Sequence, residues 1–204
     1  LAELEVGSAG LRGILVQATG GLAAIRGLGD GKIELWSQTP DLELSVAFDA
    51  TAAGTWTIIA RNTLADAVLT ENGAVHVREP GGFSTVATFV LALGAGTTTL
   101  RIAPPDADRV EIYKVATMAD IQTALPIVDD VFRAISGVPD LRFVVAMGDI
   151  TERGELEEYD LFERQLQTLT IPFYTTLGNH ELWAPAERFY NRYGRASFHF
   201  GFKG

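Results

Sequence analysis

Between Leu11 and Ile102 apolar and polar residues alternate in short runs, most clearly in Lys32-Ile33-Glu34-Leu35-Trp36 and Leu42-Glu43-Leu44-Ser45-Val46. A period of two sets one face of a strand on a core and the other in water. The runs predict strands over Leu11–Gln17, Lys32–Ser37, Leu42–Phe48, Thr55–Ala60, Ala74–Arg78, Val86–Leu93 and Thr97–Ile102. Turn formers separate them: Gly29-Asp30-Gly31, Thr39-Pro40-Asp41, Glu71-Asn72-Gly73 and Pro80-Gly81-Gly82. Strands at this spacing, with no helical stripe among them, predict an N-terminal all-β sandwich of the Ig/FnIII-like kind over 1–107. Ala103-Pro104-Pro105-Asp106 ends the pattern, because two prolines stiffen the chain and withhold backbone donors.

After residue 108 the grammar becomes strand–helix alternation. Val110–Met118, Leu141–Met147 and Ile171–Leu177 read as strands, the second apolar enough for burial on both faces. Ile127, Val128, Val131, Phe132 and Ile135 form one helical stripe, with Pro126 in its first turn. Leu156, Tyr159, Phe162, Leu166 and Leu169 form another. A short helix over Ala186–Tyr193 and a last strand over Ser197–Phe202 complete the reading. Such alternation predicts a parallel α/β sheet over 108–204.

Composition narrows the partners. With 204 residues, 47% hydrophobic and 21% charged, the chain has the make-up of a globular protein. Its net charge of −10 supplies no general attraction for nucleic acid or anionic membrane. No apolar run reaches the ~18 residues of a membrane span. The absence of cysteine excludes disulfides, thiolate metal sites and a cysteine nucleophile. The chain begins with Leu1 rather than methionine, which leans toward a secreted or periplasmic protein from which a leader has been removed. No pattern fixes an oligomeric state.

In an open α/β sheet, chemistry gathers beyond the carboxyl ends of the strands. Asp120-Ile121-Gln122 follows the first predicted strand, Gly148-Asp149-Ile150-Thr151-Glu152-Arg153-Gly154 the second, and Gly178-Asn179-His180-Glu181 the third. Carboxylate, amide oxygen and imidazole donors suit Mn, Fe, Zn or Mg. The side chains of Asp120, Asp149 and Asn179 are therefore expected to converge on one edge.

Gly-Asp, then Arg-Gly, then Gly-Asn-His-Glu in this order resembles the calcineurin-like metallophosphoesterases, over about half of the chain. The order of domains is that of purple acid phosphatases, whose exported members add to the lean toward export. The resemblance implies hydrolysis of phosphate esters by a metal-bound hydroxide at a dinuclear site. It assigns Asp149 as the bridge between two divalent ions, Asp120 to the first ion and Asn179 to the second. His180 lies beside the phosphate as donor or general acid, and Arg153 resembles a phosphate-contacting arginine. Gln122 stands where the family usually has His, so it enters as a neutral, weaker ligand. The family's lone His and G-H-x-H lie beyond the residues given, so the expectation is an incomplete phosphoesterase domain with poor metal affinity and slow turnover.

Blander readings accompany these. Asp120 caps a helix, Asp149 forms a turn and Arg153 makes a surface ion pair; the three motifs together argue otherwise. His76 and His199 read as structural, Trp36 and Trp56 as sandwich core, and Trp183 as packing or the mouth of a substrate site. Glu155, Glu157, Glu158, Asp160 and Glu163 read as the wet face of a helix. The alternative function is a catalytically degenerate scaffold that binds a partner through the sandwich.

Overall fold

The computed structural model describes residues 2–203. After a single turn of helix, α1 (Ala2–Glu5), ten strands follow: β1 (Ser8–Leu11), β2 (Ile14–Gly20), β3 (Ala23–Gly29), β4 (Lys32–Ser37), β5 (Leu42–Phe48), β6 (Gly54–Arg61), β7 (Val68–Glu71), β8 (Ala74–His76), β9 (Val86–Leu93) and β10 (Gly96–Ala103). They form a six-stranded sheet, β1-β2-β5-β10-β7-β8, and a four-stranded sheet, β3-β4-β6-β9. Pairing is antiparallel except between β4 and β6, where Lys32 lies opposite Thr57 and Trp36 opposite Arg61. Alternate residues of both sheets meet in one core: Val16, Leu44, Val46 and Leu100 from the larger, Ile33, Leu35, Ile58 and Phe89 from the smaller. Two sheets sharing one apolar core are compatible with the expected sandwich.

The second half adds β11 (Lys114–Met118), β12 (Leu141–Ala146) and β13 (Phe173–Thr175), a parallel three-stranded sheet with β12 in the middle. A 3₁₀ helix (Gln122–Ile127) and α2 (Asp129–Ser136) connect β11 to β12, and α3 (Leu156–Leu166) connects β12 to β13. Phe132 and Phe162 of these helices pack with Phe173 on one face of the sheet. A further 3₁₀ turn (Glu181–Trp183) and α4 (Glu187–Tyr193) follow β13. A capping box starts α3: Glu155 accepts from the backbone of Glu158, and the Glu158 carboxylate accepts from the N–H of Glu155.

The two halves share packing surface. Ala24 and Trp36, from the outer face of the four-stranded sheet, are buried with Phe189 and Tyr193 of α4. The Arg26 guanidinium lies 4.4 Å over the Trp36 ring, pairs with Glu163 at 3.1 Å and donates to the Arg192 carbonyl at 2.6 Å. Two buried amide side chains do the most specific work. Asn62 accepts from the Phe173 N–H at 2.7 Å and donates to the Phe173 carbonyl at 2.9 Å. It thus acts as one residue of a neighbouring strand on the free edge of β13. Gln38 repeats the device on Arg195, accepting from its N–H at 2.9 Å and donating to its carbonyl at 2.6 Å.

Several expectations need correction. The predicted strand Leu11–Gln17 is broken by a turn at Arg12 and Gly13, both at positive φ, so it is the end of β1 and the start of β2. Strand β3 was not foreseen: its glycines and Arg26 spoil the apolar alternation, because its outer face meets α4 instead of water. Strand β11 begins at Lys114 rather than Val110, and β13 is shorter than the predicted Ile171–Leu177. Ser197–Phe202 is not a strand. Its Phe198, Phe200 and Phe202 pack instead on the core with Phe143 and Tyr174, and side-chain burial holds the segment without a ladder. Trp36 lies between the sheet and α4, whereas Trp56 does pack inside the sandwich against Phe48. The acidic run of α3 is a wet face only in part: Glu155, Glu157 and Asp160 are exposed, while Glu163 pairs with Arg26 and Arg192.

Replacing Asn62 by Ala removes three hydrogen bonds and leaves the Phe173 N–H buried without a partner. The expected cost is about 2–4 kcal/mol, measurable by urea unfolding. A second prediction concerns acid. Asp106 is held below the ordinary carboxylate value, first by its hydrogen bond from Lys203 and then by Arg142. Its folded value lies below its unfolded one, so its contribution is complete above the unfolded value and disappears as pH falls through the folded one. Urea midpoints should therefore drop from about pH 5 downward, and less steeply in Asp106→Asn.

Candidate functional site

The carboxyl ends of β11, β12 and β13 lead into three loops that touch. The N–H groups of Ile121 and Gln122 both donate to the Asp149 carbonyl at 3.1 Å. The His180 N–H donates to Asp149 Oδ1, also at 3.1 Å. Asp149 is therefore the hub: its backbone holds the Asp120–Gln122 loop and its side chain holds the Asn179–His180 turn. It is 8% exposed.

Contact this close dictates glycine. A Cβ on Gly148 would sit 2.5 Å from the Gly178 nitrogen, and one on Gly178 would sit 2.0 Å from Asp149 Oδ1. The two Gly residues of the motifs are thus where one loop's backbone lies on the other. Asp120 and Asp149 themselves have φ of 56° and 51°. An L-residue pays for this left-handed conformation, which Asp tolerates better than most.

Glu181 fastens the arrangement. It is 1% exposed, and its carboxylate accepts from the N–H groups of Asp149 (3.0 Å), Thr151 (2.8 Å) and Gly178 (2.8 Å) and from the Thr151 hydroxyl (3.0 Å). The Thr151 hydroxyl in turn accepts from the Gly154 N–H at 3.2 Å. A buried carboxylate is tolerable only when its lone pairs are filled in this way. Sequence reasoning did not single out Glu181, Thr151 or Glu152. The last letter of Gly-Asn-His-Glu was the available signal for Glu181.

His180 is oriented from behind. Its Nδ1 lies 2.9 Å from the Glu152 carbonyl, an acceptor only, so the ring proton belongs on Nδ1 and Nε2 is the free nitrogen. That hydrogen bond, followed by the nearby carboxylates of Asp149, Glu152 and Glu181, raises the His180 pKa above its ordinary value. Arg153 is exposed, and its backbone N–H donates to Glu158.

The six predicted residues divide as follows. The loops of Asp120, Gln122, Asp149, Asn179 and His180 are brought together, while Arg153 stands on the outer rim of the second loop. Asp120 and Asn179 are exposed at the edge, and the Gln122 Oε1 atom is buried without a hydrogen-bond partner among the described residues. An orphaned carbonyl oxygen on a loop whose backbone is bonded to Asp149 fits a hard cation. No group of three His, Cys, Asp or Glu that could hold a metal occurs among the described residues, so any ion here would rely on amide oxygens as well. None of the described helices is long and apolar enough to cross a membrane.

Comparison with known proteins agrees with this architecture. Residues 113–203 match the model of the calcineurin-like phosphoesterase family. A 43-residue stretch is 49% identical to a protein of Arcobacter nitrofigilis named probable glycerophosphodiester phosphodiesterase GpdQ; it amounts to 21% of this chain and 15% of that relative. Among solved structures, the flavohem-like FAD/NAD-binding domain of nitric oxide dioxygenase from Vibrio cholerae O1 biovar El Tor aligns over 78% of this chain and 73% of its own. At 7% identity and a TM-score of 0.17 that alignment carries no argument.

Glu181→Gln tests the clamp. One amide oxygen cannot replace two carboxylate oxygens, and the new NH₂ would face N–H donors. The variant is expected to lose about 3 kcal/mol and to exchange the Asp149, Thr151 and Gly178 amide protons faster, as read by NMR.

Proposed function

We propose that the chain acts in metal-dependent hydrolysis of phosphate esters. Asp120, Gln122, Asp149 and Asn179 would hold two divalent cations from among Mn, Fe, Zn and Mg. The observation that carries this reading is the meeting of three strand-end loops on Asp149, within the segment that matches the phosphoesterase family model. When bound, divalent cations supply charge stabilisation to the phosphoryl oxygens and acidify water.

The chain's own groups supply the rest. Asp149, fixed by Glu181 at its backbone and by His180 at its side chain, presents its remaining carboxylate oxygen without reorganisation. His180, with Nδ1 donating to Glu152, would pass a proton from Nε2 to the departing ester oxygen when its ring is doubly protonated. Arg153, which is exposed, would pair with a phosphate oxygen. The short stretch shared with a protein named as a glycerophosphodiester phosphodiesterase favours diesters over monoesters.

The test is calorimetric titration with Mn²⁺ and Zn²⁺, alongside hydrolysis of bis(4-nitrophenyl) phosphate and 4-nitrophenyl phosphate. Weak metal binding is expected, because amide oxygens stand in for imidazole. Diester cleavage should exceed monoester cleavage and stop with chelator. Asp149→Asn should lower cleavage by about a hundredfold, and Gln122→His should tighten metal binding. Equal metal binding and turnover in Asp149→Asn would overturn the reading. A chain with neither metal binding nor turnover would be the degenerate scaffold.

A further inference from the structure

Trp183 is 71% exposed, whereas the other tryptophans, Trp36 and Trp56, are buried. Leaving an indole in water forfeits much of the burial free energy that this side chain offers. Nor is Trp183 on a loose loop. It ends the 3₁₀ turn Glu181–Trp183, whose first residue is the buried clamp of the site. The Leu182 N–H donates to the Asn179 carbonyl at 3.2 Å, and the Trp183 N–H to the His180 carbonyl at 3.3 Å. Its ring is parallel to that of His180 within 8°, with centroids 6.3 Å apart. The element that orders the phosphate side of the site therefore also fixes a bare aromatic face next to it, and Leu182 adds a second exposed apolar side chain.

We infer that Trp183 is the specificity-determining platform for the organic part of the ester, favouring flat aromatic or nucleoside-like groups over compact alkyl ones. This rests on the phosphoesterase reading above and adds the substrate class. The geometry follows from His180. Its free nitrogen is Nε2, so an ester oxygen bonded to it lies within about 3 Å. The indole lies beside the imidazole with its plane nearly parallel and ring centroids 6.3 Å apart, so the organic group of an ester held at His180 has an aromatic face as its neighbour. A planar group gains stacking there, while a glycerol-like group has little surface to offer. Stacking of one ring on an aromatic side chain corresponds to about tenfold in affinity.

The experiment uses the full chain with Mn²⁺ and two non-hydrolysable probes, phenylphosphonate and methylphosphonate. Binding is read by inhibition of diester cleavage and by quenching of the water-exposed tryptophan emission. Phenylphosphonate should bind about tenfold more tightly and quench that emission. Trp183→Ala should remove the preference, and Trp183→Phe should retain part of it. Because Trp183 is exposed, both variants should unfold at the wild-type urea midpoint. Equal affinity of the two probes for the wild type, or an undiminished preference in Trp183→Ala, overturns the inference. If methylphosphonate binds and Asp149→Asn abolishes that binding, the phosphoesterase reading survives such a result. If neither probe binds in the presence of Mn²⁺, the platform has no site to serve, and both readings fall.

Discussion

A single buried carboxylate holds the two catalytic-looking loops in register. Glu181 accepts from the backbone of Asp149 and Thr151 on one side and of Gly178 on the other. Each of those N–H groups belongs to a tight turn in which no regular ladder could satisfy it. Without the carboxylate they would be buried donors lacking partners, and the turns would open to water. With it, the β12 and β13 ends are pinned backbone to backbone so closely that Gly148 and Gly178 must lack side chains. The left-handed Asp149 and the fixed His180 follow from that closure.

The clamp in turn rests on the β-rich half. Asn62 holds Phe173 at the edge of β13, a few residues before Asn179, and Gln38 holds Arg195. Next to Arg195, the Ala196 carbonyl accepts from the Leu177 N–H at 2.8 Å, directly before the Gly178 turn. Arg26 completes the contact by tying α3 and the end of α4 to β3. The first half is therefore more than an appended module: Asn62 satisfies the outer edge of β13, which would otherwise be unpaired there.

The chemistry at the edge reflects a division of labour. Groups that must not move, Glu181 and Thr151, are buried and held by several hydrogen bonds. Groups that would meet a ligand, Asp120, Asn179, Arg153 and Trp183, are exposed. Gln122 falls between, with its carbonyl oxygen buried and unpaired among the described residues. A well-formed cavity lies elsewhere, between Trp36, Arg61, Asn62, Phe83 and Phe173 at the junction of the halves. The candidate site is thus an open sheet edge, with preorganised backbone and accessible side chains.

By itself the sequence determined the kinds of element and the identity of the motifs. Period-two alternation marked β4, β5, β6 and β9, and helical stripes marked α2 and α3, because each follows from which face of an element is buried. The order Gly-Asp, Arg-Gly, Gly-Asn-His-Glu pointed to the family, since glycine, carboxylate and imidazole at strand ends have few other uses together. Tertiary structure decided what depends on partners distant in the chain. Strand β3 and Trp36 owe their places to α4, and Ser197–Phe202 needs no ladder because its aromatic residues are buried. Asn62, Gln38 and Glu181 carry no periodic signal at all. A polar side chain becomes a clamp only when folding brings to it a backbone group that has no other partner, and sequence spacing does not record that meeting.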